Sequence, residues 1–191
     1  MPELSRGRFL RRVGGGAVVA AVGVALPASA LADDDQDRAN VRLVAATKRL
    51  TLTWYTTWLA AGSAHEGDTK PLAAKLKDQE QKHYDLLAPV LGDTAPVDDD
   101  FDFTLPKDAT ASPKAAIDFS LTLERLLTGI GIMAAGTTTN SGLSQALARV
   151  ATADSVHVGA LTGLNGSVLG PSLPKPIDVA TASDELGNYL H

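Results

Sequence analysis

Two stretches of this 191-residue chain set an acid and a histidine three residues apart: "EQKH", Glu80 to His83, and "DSVH", Asp154 to His157. Residues so spaced share one face of a helix, so both donors can reach a common point. Both pairs fall on apolar stripes. The first interrupts Leu72, Leu76, Leu87 and Val90, and the second interrupts Leu143, Leu147, Val150, Leu161 and Leu164. A third carboxylate, Glu124, lies within the apolar arc of its own segment between Ile117 and Leu127, while Asp118, Thr122 and Arg125 gather on the other side. Inward-facing acids repel one another and lose their hydration unless a positive charge sits among them. Neutral imidazoles are good metal ligands, so Glu80, His83, Glu124, Asp154 and His157 are candidate ligands of a hard or borderline divalent cation.

Four helices are needed to position these side chains. A first apolar-periodic run covers Val41 to Ala61 and stops at "AGSAHEGD". A second opens with Pro71 and continues to Gly92, with Pro89 in its final turns as a kink or an early end. Ser112 and Pro113 are the N-cap and first position of a third, which "TTTN" breaks, and a fourth runs from Ser141 to about Leu164. Residues 93–111 are rich in Pro and Asp and have no sustained period. So long a connection is unusual in a compact domain, and a crossover along the length of a bundle accounts for it. "FDFTL" is the sole candidate strand, and the Pro-rich tail, residues 167–191, carries a short helix from Ile177 to Leu190 with a packing role. The fold class read from this order is all-α, a four-helix bundle with a long crossover between helices two and three.

In helix order, helix length and crossover position the chain resembles the ferritin-like superfamily from Asp37 to about Gly166. In the di-iron members a Glu from each of two helices joins two Glu-x-x-His motifs in the bundle interior. "EQKH" on the second helix, Glu124 on the third and "DSVH" on the fourth match that pattern. The resemblance implies an iron or manganese site at Glu80, His83, Glu124, Asp154 and His157, and oxidation of Fe(II) by dioxygen or peroxide in iron handling or oxidative and stress protection. Two departures stand against it. Asp154 replaces a Glu, and the inward face of the first helix, Val41, Val44, Lys48, Thr51, Tyr55 and Trp58, has no carboxylate. Lys48 projects close to where that acid belongs, which leaves two readings open. In one, a metal binds; in the other, the Lys48 ammonium neutralises the acids and the chain is a metal-free, non-enzymatic structural or interaction protein of the cell envelope.

The remaining features bound the setting. Residues 1–32 carry several arginines, then an uncharged small-residue run, then Ala30-Leu31-Ala32 before "DDDQD". That order reads as a cleaved export signal, with a retained membrane anchor as the alternative. Its "SRGRFLRR" resembles a twin-arginine signal, with Gly7 where the second Arg belongs. The expected location is the periplasm, cell envelope or exterior, with no membrane span after cleavage and residues 33–166 forming the bundle. Net charge is −5 although this segment is basic, so the rest is more acidic still, and nucleic acid is not an expected partner. Homo-oligomerisation is left open. The chain has no cysteine, which excludes disulfides and thiolate metal sites. Hydrolase chemistry has no G-x-S-x-G elbow to stand on. The acidic runs at 33–35 and 98–102, together with His65 and His191, read as solvated, and Trp54, Tyr55 and Trp58 as packing residues.

Overall fold

The computed structural model describes residues 35–166 and 174–190. The expected export segment, residues 1–32, and His191 lie outside the described residues.

Helix α1 spans Asp35–Ala60, so it begins before Val41, within the polar "DQDRAN". Acids in a first turn favour the positive end of the helix dipole. These residues also have partners across the bundle. Asp37 accepts from the backbone N–H groups of Thr139 and Asn140, both at 2.7 Å, and Asn40 donates to the hydroxyls of Thr137 and Thr138 at 3.0 and 3.1 Å. Helix α2 spans Thr69–Leu91 and carries Pro89 without stopping there. Pro89 lies so near the end that the N–H it lacks costs only a final-turn bond. Gly92 follows with φ 56°, a left-handed conformation suited to glycine, and closes the helix.

Helix α3 (Pro113–Thr137) starts as expected, with Ser112 Oγ accepting from the Ala115 N–H at 3.1 Å. Helix α4 (Ser141–Leu164) is capped by Asn140, whose side-chain oxygen accepts from the Leu143 N–H at 3.1 Å. Helix α1 packs on α2 and α3, and α3 packs on α4. The apolar stripes meet in a core that includes Leu50, Leu76, Leu87, Leu123, Ile130, Leu143 and Leu147. Trp54 meets Phe119 edge-on, with ring centroids 4.6 Å apart, and donates its indole N–H to Ser120 Oγ at 2.7 Å.

The connection between α2 and α3 is tied down along its course. Tyr84 donates to the Pro96 carbonyl at 2.6 Å, Arg49 pairs with Asp98, and Ser63 donates to the Thr110 carbonyl at 3.0 Å. Asp98 is therefore exposed but partnered, where a purely solvated acid was expected. Arg49 also lies over the Tyr84 ring, 4.7 Å from its centroid. The anchors move from mid-α1 towards the turn after it, so the segment runs lengthwise along the bundle, as a crossover must.

"FDFTL" does not form a strand. It contributes a single antiparallel bridge, Phe103 to Leu190, beside a Thr104 N–H to Tyr189 carbonyl bond of 2.9 Å. Its partner is the chain's tail, where helix α5 (Val179–Gly187) is shorter than the Ile177–Leu190 expectation and buries Ala182 and Leu186. The tail also crosses α3 at Gly129, whose carbonyl accepts from the Ile177 N–H at 3.2 Å.

Candidate metal centre

The four bundle helices each deliver part of one buried cluster. Lys48 comes from α1, Glu80 and His83 from α2, Glu124 from α3, and Asp154 and His157 from α4. Glu80, Glu124, Asp154 and Lys48 are wholly buried and His157 nearly so. Donor atoms of Glu80, Glu124, Asp154 and His157 all lie within 4.8 Å of one another. His83 stands at the margin: its Nδ1 is 3.3 Å from Asp154 Oδ1 and 3.4 Å from Glu80 Oε1. Its side chain is 15 % exposed, against 2 % or less for the other titrating groups of this contact set, so it is the part of the cluster nearest to water. Its ring stacks on that of His157 with centroids 5.8 Å apart.

Lys48 lies among the acids. Its ammonium is 2.7 Å from each Asp154 oxygen and 2.9 Å from Glu80 Oε2. Burial alone would depress the Lys48 pKa, but attraction to Asp154, Glu80 and Glu124 outweighs it and holds the amine charged. Glu80 is tuned the same way. Burial pushes its carboxyl up, and Lys48 with the two nearby imidazoles more than reverses that, leaving it well below the usual range. Glu124 goes in the other direction, since burial raises it and the charges of Glu80 and Asp154 add to the rise, although His157 pulls it down. The two carboxylates are thus driven apart, Glu80 towards the anion and Glu124 towards holding a proton.

His157 lies between them, with Nδ1 3.2 Å from both Glu80 Oε1 and Glu124 Oε2. Burial disfavours its charged form, yet the pull of Glu124 and Glu80 raises its pKa to about 10. Its other nitrogen, Nε2, lies 3.1 Å from the Gln79 amide oxygen, which can only accept. That contact fixes Nε2 as the donor and turns Nδ1 towards the acids, the orientation that metal-binding histidines receive from an outer partner. Glu124 is held on its far side by the Tyr55 hydroxyl, which donates to Oε1 at 2.6 Å.

Neither Glu80 oxygen has a donor in hydrogen-bonding alignment, and His83 Nδ1 has none either. The Lys48 and His157 contacts to Glu80 are therefore close charges rather than directed bonds. A buried carboxylate with unmet lone pairs is expensive to keep, and a cation with no directional demand would meet both oxygens at once. On that ground the donor set of two or three carboxylates and an imidazole fits a hard or borderline divalent ion.

A model of the ferritin-like domain matches residues 29–167. The chain belongs to the ferritin-like family. Comparison with curated proteins returned no match. Within this ferritin-like bundle the residues expected from the sequence converge on one interior point, with His83 at its edge. Sequence reasoning missed Gln79 and the polar role of Tyr55. Tyr55 lies on the inward stripe with Lys48, a signal read by default as packing, whereas Gln79 lies off its stripe and gave none. His65 is half-buried, with Nε2 donating to the Leu59 carbonyl at 3.2 Å, and is not a solvated loop residue.

Proposed function

We propose that this is an exported ferritin-like protein whose core cluster binds iron or manganese and serves iron handling or oxidative and stress protection. The carrying observation is the buried convergence of Glu80, Glu124, Asp154 and His157 around a Glu80 carboxylate that lacks directed hydrogen bonds. Ligands from this cluster would hold the ion, with Gln79 orienting His157 and Tyr55 orienting Glu124. Bound iron would supply one-electron chemistry towards dioxygen or peroxide. The chain's own contribution is to hold anionic ligands in a site closed to bulk water, with His83 at the wet side. Export rests on the N-terminal charge and A-x-A pattern. Among the described residues no helix is long and apolar enough to cross a membrane.

A metal-free reading has its own supporting observation, the Lys48 ammonium in contact with both Asp154 oxygens and Glu80. Under it the charges neutralise one another and function lies on the surface or tail of an envelope protein. Elemental analysis of the purified protein after Fe(II) or Mn(II) loading and desalting separates the two. Bound metal that disappears in an E80A/H157A double variant supports the centre, and a wild type that stays free of metal rejects it. Intact mass of the protein recovered from the cell envelope tests export, with a mature chain starting at Asp33 expected.

A further inference from the structure

Three helices offer metal-ligating side chains to the cluster, and the fourth offers an ammonium where the ferritin-like resemblance leads one to expect a carboxylate. Lys48 Nζ uses both oxygens of Asp154 at 2.7 Å and one oxygen of Glu80 at 2.9 Å. Asp154 is one methylene shorter than the Glu that the resemblance leads one to expect, and its carboxylate faces the ammonium with both oxygens. What remains is a compact set from three helices, Glu80 Oε1, Glu124 Oε2 and His157 Nδ1, in which the imidazole nitrogen is 3.2 Å from each oxygen. In the absence of metal His157 Nδ1 is in hydrogen-bonding reach of Glu124 Oε2 and lies as a close charge beside Glu80 Oε1. We propose that Lys48 is a built-in substitute for one metal, so that the core takes a single divalent cation held by Glu80, Glu124 and His157.

Charge balance gives the same answer independently of the distances. One ammonium and one divalent cation together would match the three carboxylates of the cluster once the metal has displaced the histidine protons. A second divalent cation beside the ammonium would leave two uncompensated positive charges in a wholly buried site, a large desolvation cost with no anion to offset it. The Lys48 side chain is fully buried among the helices, so drawing its charge away from the acids would itself cost desolvation. Substituting an acid there removes the cation and supplies the missing ligand in one change.

This inference rests on the metal-binding reading above, and the test keeps the two apart. The full chain is titrated with Mn(II) by calorimetry and by electron paramagnetic resonance, for wild type, Lys48→Glu and Lys48→Ala. The expected result is one Mn(II) per wild-type chain with the spectrum of an isolated ion. Lys48→Glu is expected to bind two, with the spectrum of an exchange-coupled pair. Lys48→Ala removes the ammonium without adding a ligand and is expected to take a second ion more weakly, so the proposal stays testable if the Glu variant fails to fold. Two ions in the wild type, or one ion in every folded variant, overturns the lysine's role and leaves the metal centre standing. No Mn(II) in the wild type overturns the metal centre itself.

Discussion

At the residue scale the interior is governed by which group carries each proton. His157 keeps its charge through neutrality in the folded, metal-free protein, because Glu124 and Glu80 raise its pKa from 6.5 to about 10 against the effect of burial. A pKa raised on folding means the folded state holds the proton more tightly. The resulting stabilisation is complete below about pH 6.5 and is lost as pH climbs through about 10. The urea midpoint of the metal-free protein should therefore fall across that interval. In His157→Gln the fall should be shallower, and equal slopes in the two proteins would contradict the assignment. Glu80, Glu124 and Asp154 were legible in the sequence because each interrupts an apolar stripe, and a stripe specifies what is buried whatever its chemistry. Gln79 was not legible, since its contact with His157 exists only where α2 and α4 come together. Lys48 was legible as an anomaly, and the structure shows what its charge meets.

At the element scale the lengths and caps of α3 and α4 follow from local chemistry, Ser112 with Pro113 and Asn140; the sequence reading placed both helices and the Ser112 cap, and took Asn140 only as part of the break between them. The start of α1 was misplaced because periodicity registers apolar burial, whereas Asp37 and Asn40 are buried through hydrogen bonds to the α3–α4 turn. Asp37 ties two distant pieces of chain together. Burial pushes its carboxyl up, but donors from Thr139 and Asn140 more than offset that and hold it below its usual value of 3.8. A depressed folded pKa gives stability that is present above the usual value and lost as pH falls through the lowered one. Asp37→Ala is expected to cost about 1–3 kcal/mol, the range for removing a charged partner from buried donors. Thermal unfolding at neutral pH measures this, and hydrogen exchange should show the first turn of α1 and the Thr139–Asn140 amides opening together. An unchanged melting temperature would mean the tie contributes nothing.

At the scale of the whole molecule, a bundle without disulfides closes its long crossover against its own tail. The bridge between Phe103 and Leu190 and the crossing of Ile177 over Gly129 join segments far apart in sequence. No local pattern announces such a pairing, which is why "FDFTL" read as a strand without a partner. The crossing needs a residue with no side chain. A Cβ on Gly129 would lie 2.7 Å from Ile177 Cδ1 and 2.9 Å from the Lys175 carbonyl oxygen. Gly129→Ala should therefore displace the tail and speed proteolysis within 174–190, with metal content unchanged; a protease pattern like that of wild type would show that the tail adapts. The four-helix arrangement and its crossover were readable because helical periodicity and loop length are both written locally. The central claim, that this arrangement encloses a cation, is tested most directly by anomalous diffraction at the manganese edge from crystals grown with Mn(II). One buried peak among Glu80, Glu124 and His157 is the expected result. A cluster without any peak, with manganese found only on the surface or not at all, would contradict it.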